Sequence, residues 1–128
     1  MNPRRALLLV EDSPDDALVF LRQVEALGEF DVYVAGDGAG ALRYLEALHA
    51  SGVPLPVAVF VDLRLSGMSG LELMVELAKR ERFARIPCFL LSEATPGREA
   101  ETDLTGGTSP VFEKPISATS LALALANY

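Results

Sequence analysis

Val57-Ala58-Val59-Phe60-Val61 is an unbroken apolar run that stops at Asp62. A strand with one wet face alternates apolar and polar residues, so this run reads as a strand covered on both faces, as in a parallel sheet. Ala6-Leu7-Leu8-Leu9-Val10 has the same character and stops at Glu11-Asp12. Cys88-Phe89-Leu90-Leu91 stops at Ser92, and Val111-Phe112-Glu113 stops at Lys114-Pro115. A fifth, shorter strand is expected at Asp31-Val32-Tyr33-Val34-Ala35.

Helical patterns separate these runs. Ser13-Pro14-Asp15-Asp16 offers a hydroxyl N-cap, a proline at the first helical position and acids against the positive helix end. Leu18, Leu21, Val24 and Leu27 then recur at helical spacing, and Gly28 closes the element. Gly36-Asp37-Gly38 reads as a turn and the start of a second helix over 39–50, with Ala41, Leu42, Leu45 and Leu48 on one face. Ser51-Gly52-Val53-Pro54-Leu55-Pro56 reads as a loop. A third helix carries Leu71, Leu73, Met74 and Leu77, a short fourth is expected near 97–104, and a fifth begins at about Ser117. Five strands alternating with five helices predict an α/β fold, a single doubly wound five-stranded parallel sheet with helices on both faces. No linker, repeat or low-complexity segment divides residues 1–128, so one domain is expected.

Composition narrows the function. Half of the 128 residues are hydrophobic and 23% are charged, which fits a globular chain with a sizeable core. Eleven basic against eighteen acidic residues leave a net charge of −7, which argues against nucleic-acid and anionic membrane partners. No apolar run approaches the roughly 20 residues of a membrane span, and no signal peptide is apparent, so a cytoplasmic protein is expected. A single cysteine, Cys88, excludes an intrachain disulfide and a cysteine-based zinc site, and it reads as a small hydrophobe in a strand. The only histidine, His49, reads as a surface residue at a helix C-terminus.

Four strands end in a polar or charged residue: Glu11-Asp12, Asp62, Ser92 and Lys114. In open parallel sheets, ligands bind beyond the carboxyl ends of the strands where the strand order reverses. If those strands are neighbours, the residues share one pocket. Clustered carboxylates need a cation, and oxygen donors without imidazole or thiolate select magnesium, with manganese as a substitute. Lys114 and the Ser92 hydroxyl can hold phosphate oxygens, which leaves Asp62 as a carboxylate nucleophile for a phosphoryl group.

Val10-Glu11-Asp12-Ser13-Pro14, Asp62-Leu63-Arg64-Leu65-Ser66-Gly67-Met68-Ser69-Gly70, Leu91-Ser92 and Lys114-Pro115 together resemble the successive motifs of response-regulator receiver domains, over essentially the whole chain. The resemblance implies the flavodoxin-like strand order 2-1-3-4-5, with Asp62 as phosphoacceptor. It implies Asp12 as direct metal ligand, Glu11 as a water-mediated one, and a backbone carbonyl from Arg64. Ser92 resembles the switch hydroxyl, Lys114 the lysine on phosphate, and Pro115 the family's cis-type proline. The loops 51–56 and 83–87 are similar to those of stand-alone regulators, including those paired with phytochrome-type kinases.

The implied function is that of a stand-alone regulator. A sensor histidine kinase or a phosphotransfer protein supplies the phosphoryl group. Output follows through altered protein contacts, a relay, or a homodimer across the face of the fourth helix, fifth strand and fifth helix. Only fourteen residues follow Lys114, so no output domain is expected. Three departures stand out: Ser66 replaces the usual proline, Glu93 stands where a small residue usually admits phosphate, and Val111 replaces a common aromatic. Glu93 and Val111 are therefore expected to modulate phosphorylation and switching. An aspartyl-phosphate phosphohydrolase would want a second acid where Arg64 stands, and a P-loop protein would want a glycine-rich Lys-Ser/Thr motif that is absent. A degenerate receiver, held in one state, is the remaining alternative. No enzyme activity beyond self-phosphorylation and self-dephosphorylation is expected. Leu121, Leu123 and Leu125 are apolar on more than one helix face, which reads as core packing with an interface as the alternative.

Overall fold

A computed structural model describes residues 5–93 and 111–126. The five apolar runs become parallel strands: β1 (Arg5–Val10), β2 (Phe30–Ala35), β3 (Ala58–Asp62), β4 (Cys88–Ser92) and β5 (Val111–Glu113). Four helices are described, α1 (Pro14–Glu25), α2 (Gly38–Ala50), α3 (Gly70–Lys79) and α4 (Ala118–Ala124). The strand order is β2-β1-β3-β4-β5, as the resemblance implied. The short helix expected near 97–104 lies outside the described residues.

The period-two alternation of each strand divides the core in two. Leu7, Leu9, Phe60, Phe89 and Leu91 face α1 and α4, meeting Phe20, Val24, Leu121 and Leu125. Leu8, Val10, Val59, Val61 and Leu90 face α2 and α3, meeting Leu45, Leu73 and Leu77. Every residue of central β3 is buried, whereas edge strand β2 leaves Tyr33 and Val34 about half exposed. On β5, Val111 packs with the second cluster and Phe112 with the first, so the two adjacent side chains point to opposite faces.

Two apolar stripes differ from the sequence reading. On α1 the buried residues are Ala17, Phe20 and Val24, while Leu18 is 49% exposed. The helix is rotated so that the large Phe20 ring reaches Phe60, with centroids 5.2 Å apart, and Leu18 is left to solvent. At the last helix, Leu121 and the C-capping Leu125 enter the core, and Leu123 between them is 74% exposed.

Candidate functional site

The order reversal falls between β1 and β3, which leave in opposite directions to β2 and β4. Glu11 follows β1, Asp62 ends β3, Ser92 ends β4 and Lys114 follows β5, so one sheet edge gathers all four. Each element that follows is capped by its own residues. Ser13 caps α1 by accepting from the Asp16 amide at 3.3 Å. Ser69 and Glu72 form a reciprocal capping box at α3, which fixes the far end of the loop after Asp62.

Lys114 is the centre of the arrangement. Its side chain is only 10% exposed, and its ammonium lies 2.9 Å from Glu11 Oε2, 2.9 Å from Asp16 Oδ2 and 3.0 Å from Asp62 Oδ2. An ammonium has three protons, and three carboxylates accept them. Burial by itself lowers the Lys114 pKa, but hydrogen bonds to Asp16, Glu11 and Asp62 outweigh it and hold the group above its usual range. Asp62 Oδ1 accepts from the Arg64 amide at 3.0 Å, so both oxygens of the carboxylate are oriented. Burial raises the Glu11 carboxyl from its ordinary 4.5 to about 7, against the opposing pull of Lys114 and the Ser13 amide.

Glu11, Asp12 and Asp62 each bring one carboxylate oxygen to a common place, all within 4.8 Å of one another. Glu11 and Asp62 are buried and Asp12 is exposed. This donor set, all oxygen and partly open to water, fits a hard divalent cation that keeps some of its waters. Asp12 Oδ2 accepts a hydrogen bond of 3.3 Å from the Ser66 hydroxyl, so the residue in place of the usual proline touches an acid of the cluster. Ser92 is buried, and its hydroxyl donates to the Glu93 carbonyl at 3.2 Å. The Glu93 side chain is 68% exposed, with one oxygen 3.9 Å from the Lys114 ammonium, so it stands on the solvent side of the site. The Lys114–Pro115 peptide bond is cis.

Two contributors acquire their reason only in the fold. Asp16 resembles an ordinary first-turn helix acid, yet its side chain reaches Lys114, 98 residues on. Gly70 begins α3 so close to the end of β3 that an added Cβ would lie 2.5 Å from the Asp62 carbonyl oxygen. The signal for Asp16 is its place at the third helical position, which points it at the same sheet edge. Gly70 closes the motif that begins at Asp62, but the reason for a glycine there is visible only in the packing of the loop.

A five-stranded parallel sheet with this edge defines a receiver-type α/β domain, and the chain belongs to the response regulator receiver domain family, whose model matches residues 7–126. It is 31% identical over 112 residues to the probable methanogenesis regulatory protein FilR2 of Methanothrix harundinacea (strain 6Ac), covering 87% of this chain and 72% of that protein. It is also 31% identical over 121 residues to the sensor histidine kinase TmoS of Ectopseudomonas mendocina, covering 94% of this chain but 12% of the kinase. Among solved structures, the bacteriophytochrome response regulator AtBRR superposes with a TM-score of 0.80 at 28% identity, covering 98% of this chain and 92% of that one. The bacteriophytochrome response regulator RtBRR gives 0.78 at 26% identity, covering 97% and 77%. This chain is thus a receiver domain of two-component signalling. No helix among its described residues is long and apolar enough to cross a membrane.

Proposed function

We propose that this single receiver domain accepts a phosphoryl group on Asp62 from a sensor histidine kinase or phosphotransfer protein, and signals by changed protein contacts. The observation that carries this reading is the approach of Lys114 to within 3.0 Å of Asp62 Oδ2, in a pocket shared with Glu11 and Asp12. The Asp62 carboxylate is held beside a cation with both of its oxygens oriented, one by Lys114 and one by the Arg64 amide. In the reaction, an Asp62 carboxylate oxygen attacks phosphorus. The bond from phosphorus to the donor's nitrogen or oxygen breaks, and its electron pair leaves with the donor. Glu11, Asp12, Asp62 and the Arg64 backbone carbonyl would hold a magnesium ion, with manganese as a substitute. Such an ion supplies positive charge against the phosphoryl oxygens.

Lys114 places its ammonium on one phosphoryl oxygen, and Ser92 exchanges its bond to the Glu93 carbonyl for another. Val111 is too small to swing as an aromatic side chain would, so readout through β5 depends on smaller shifts, while Glu93 sets the charge at the mouth. Leu123, exposed on α4, leaves an apolar side chain for output contacts, dimerisation included. Turnover is limited to formation and hydrolysis of the protein's own acyl phosphate. The domain works in the cytoplasm, without nucleic-acid or membrane partners.

The test is labelling by acetyl phosphate with millimolar magnesium, in wild type and Asp62→Asn. A base-labile label on wild type only is the expected result. Absence of label and of beryllofluoride binding in the folded protein would establish a degenerate receiver instead. Steady turnover of many phosphate esters would establish a phosphohydrolase.

A further inference from the structure

Of the three carboxylates on Lys114, two have work elsewhere in the proposed reaction: Asp62 takes the phosphoryl group and Glu11 supports the metal. Asp16 has none. It belongs to α1, its Oδ2 lies 2.9 Å from Nζ, and its side chain is 38% exposed, against 2% for Glu11 and 9% for Asp62. Asp16 and Lys114 also line the same open cleft of about 190 Å³, beside Phe20 and Ile116. We propose that Asp16 competes with the incoming phosphoryl group for the Lys114 ammonium, and so sets how readily the site is phosphorylated. This rests on the reading of Asp62 as phosphoacceptor.

The physical argument is one of a single charge with too many claimants. Lys114 has three protons, all taken before any phosphoryl group arrives. A phosphoryl group brings further anionic oxygens to the same ammonium, and the most hydrated of the present acceptors gives way at least cost. That acceptor is Asp16, which can turn into the cleft and regain water. Glu11 and Asp62 are walled in and cannot. The exchange would loosen the tie between the first turn of α1 and the end of β5, so phosphorylation at Asp62 would be felt on α1 without any aromatic swing at Val111. Asp16 is therefore a positioning residue that acts through Lys114.

The experiment is a beryllofluoride titration at saturating magnesium, followed by the amide signals of Ser92 and Ala17, on wild type, Asp16→Asn and Asp15→Asn. Asp15 is exposed in the same helical turn, so its variant removes the same charge from the same helix end without touching Lys114. The expected result is a midpoint roughly two- to fivefold tighter in Asp16→Asn, the scale of a partly exposed ion pair, with Asp15→Asn at the wild-type value. The melting temperature of each variant without beryllofluoride separates a change in competition from a change in folding. An unchanged or weaker midpoint in Asp16→Asn overturns the proposal, and so does an equal shift in Asp15→Asn, which would show a general charge effect. If wild type itself fails to bind beryllofluoride, the phosphoacceptor reading falls and this inference falls with it. That outcome is distinct from a wild type that binds and an Asp16 variant that does not differ.

Discussion

Cys88 shows how far one residue's chemistry is set by its position. It begins β4, its thiol donates to the Ile86 carbonyl at 3.5 Å, and burial raises its pKa from an ordinary 9.0 to about 12. The unfolded chain releases the thiol proton above 9.0, while the folded one keeps it to about 12. The contribution of this group to stability is therefore fully present below 9.0 and lost as the pH rises towards 12. A three-unit rise means about a thousandfold less thiolate at pH 8.5. Alkylation of Cys88 by iodoacetamide at pH 8.5 should therefore be at least about a hundredfold slower in the native protein than in urea. Similar rates in the two states would show that the thiol is open to solvent and active. His49 is equally plain: it is exposed in the last turn of α2, its ring edge-on to Phe83 with centroids 6.3 Å apart. Neither the cysteine nor the histidine approaches the acidic edge, which leaves the carboxylates and Lys114 as its chemistry.

At the scale of elements, the loop from β3 to α3 is the most constrained part of the edge. Gly67 has a φ of +74°, a left-handed conformation that disfavours side chains. At Gly70 the limit is space, because a Cβ would meet the Asp62 carbonyl oxygen at 2.5 Å and Leu63 Cα at 3.0 Å, both of them backbone. Gly70→Ala should therefore cost about 1–3 kcal/mol, the range for overpacking, and should also move the Asp62 carboxylate. Urea denaturation reads the first effect, and a weaker beryllofluoride midpoint reads the second. A variant with wild-type stability would show that the loop can yield. The strands were legible because fully buried strands must be apolar throughout, and their polar terminators Glu11, Asp62, Ser92 and Lys114 mark where burial ends. The stripe on α1 was less so: Ala17, Leu18, Phe20 and Leu21 offer overlapping helical faces, and only the fit of Phe20 against Phe60 decides between them. The place of Asp16 in the first turn of α1 points it at the edge, but its contact with Lys114 depends on how α1 sits on the sheet.

Over the whole molecule, the sheet seals its two cores independently and leaves a strongly anionic edge between them. Glu11, Asp16 and Asp62 share a single ammonium at that edge, and Asp12 adds a fourth carboxylate beside Glu11 and Asp62, in a chain whose net charge is −7. Such a cluster repels itself in the folded state and is relieved when the chain unfolds and the charges separate. A divalent cation on Glu11, Asp12 and Asp62 reverses that balance, because it binds the folded arrangement and has no comparable site on the unfolded chain. Magnesium should therefore raise the melting temperature, and the rise should be steeper at low ionic strength, where the repulsion is least screened. At a hundred times the dissociation constant the gain is about 2.7 kcal/mol, or roughly 10 °C for a domain of this size. Asp12→Asn removes the exposed carboxylate of the three without opening a hole in either core. It should leave the metal-free melting temperature unchanged or higher, and should abolish most of the rise with magnesium. A scanning calorimetry series of wild type and Asp12→Asn, with and without magnesium, measures both effects. An equal rise in the two proteins would mean that the ion acts on the general surface charge and that these three carboxylates are not its site.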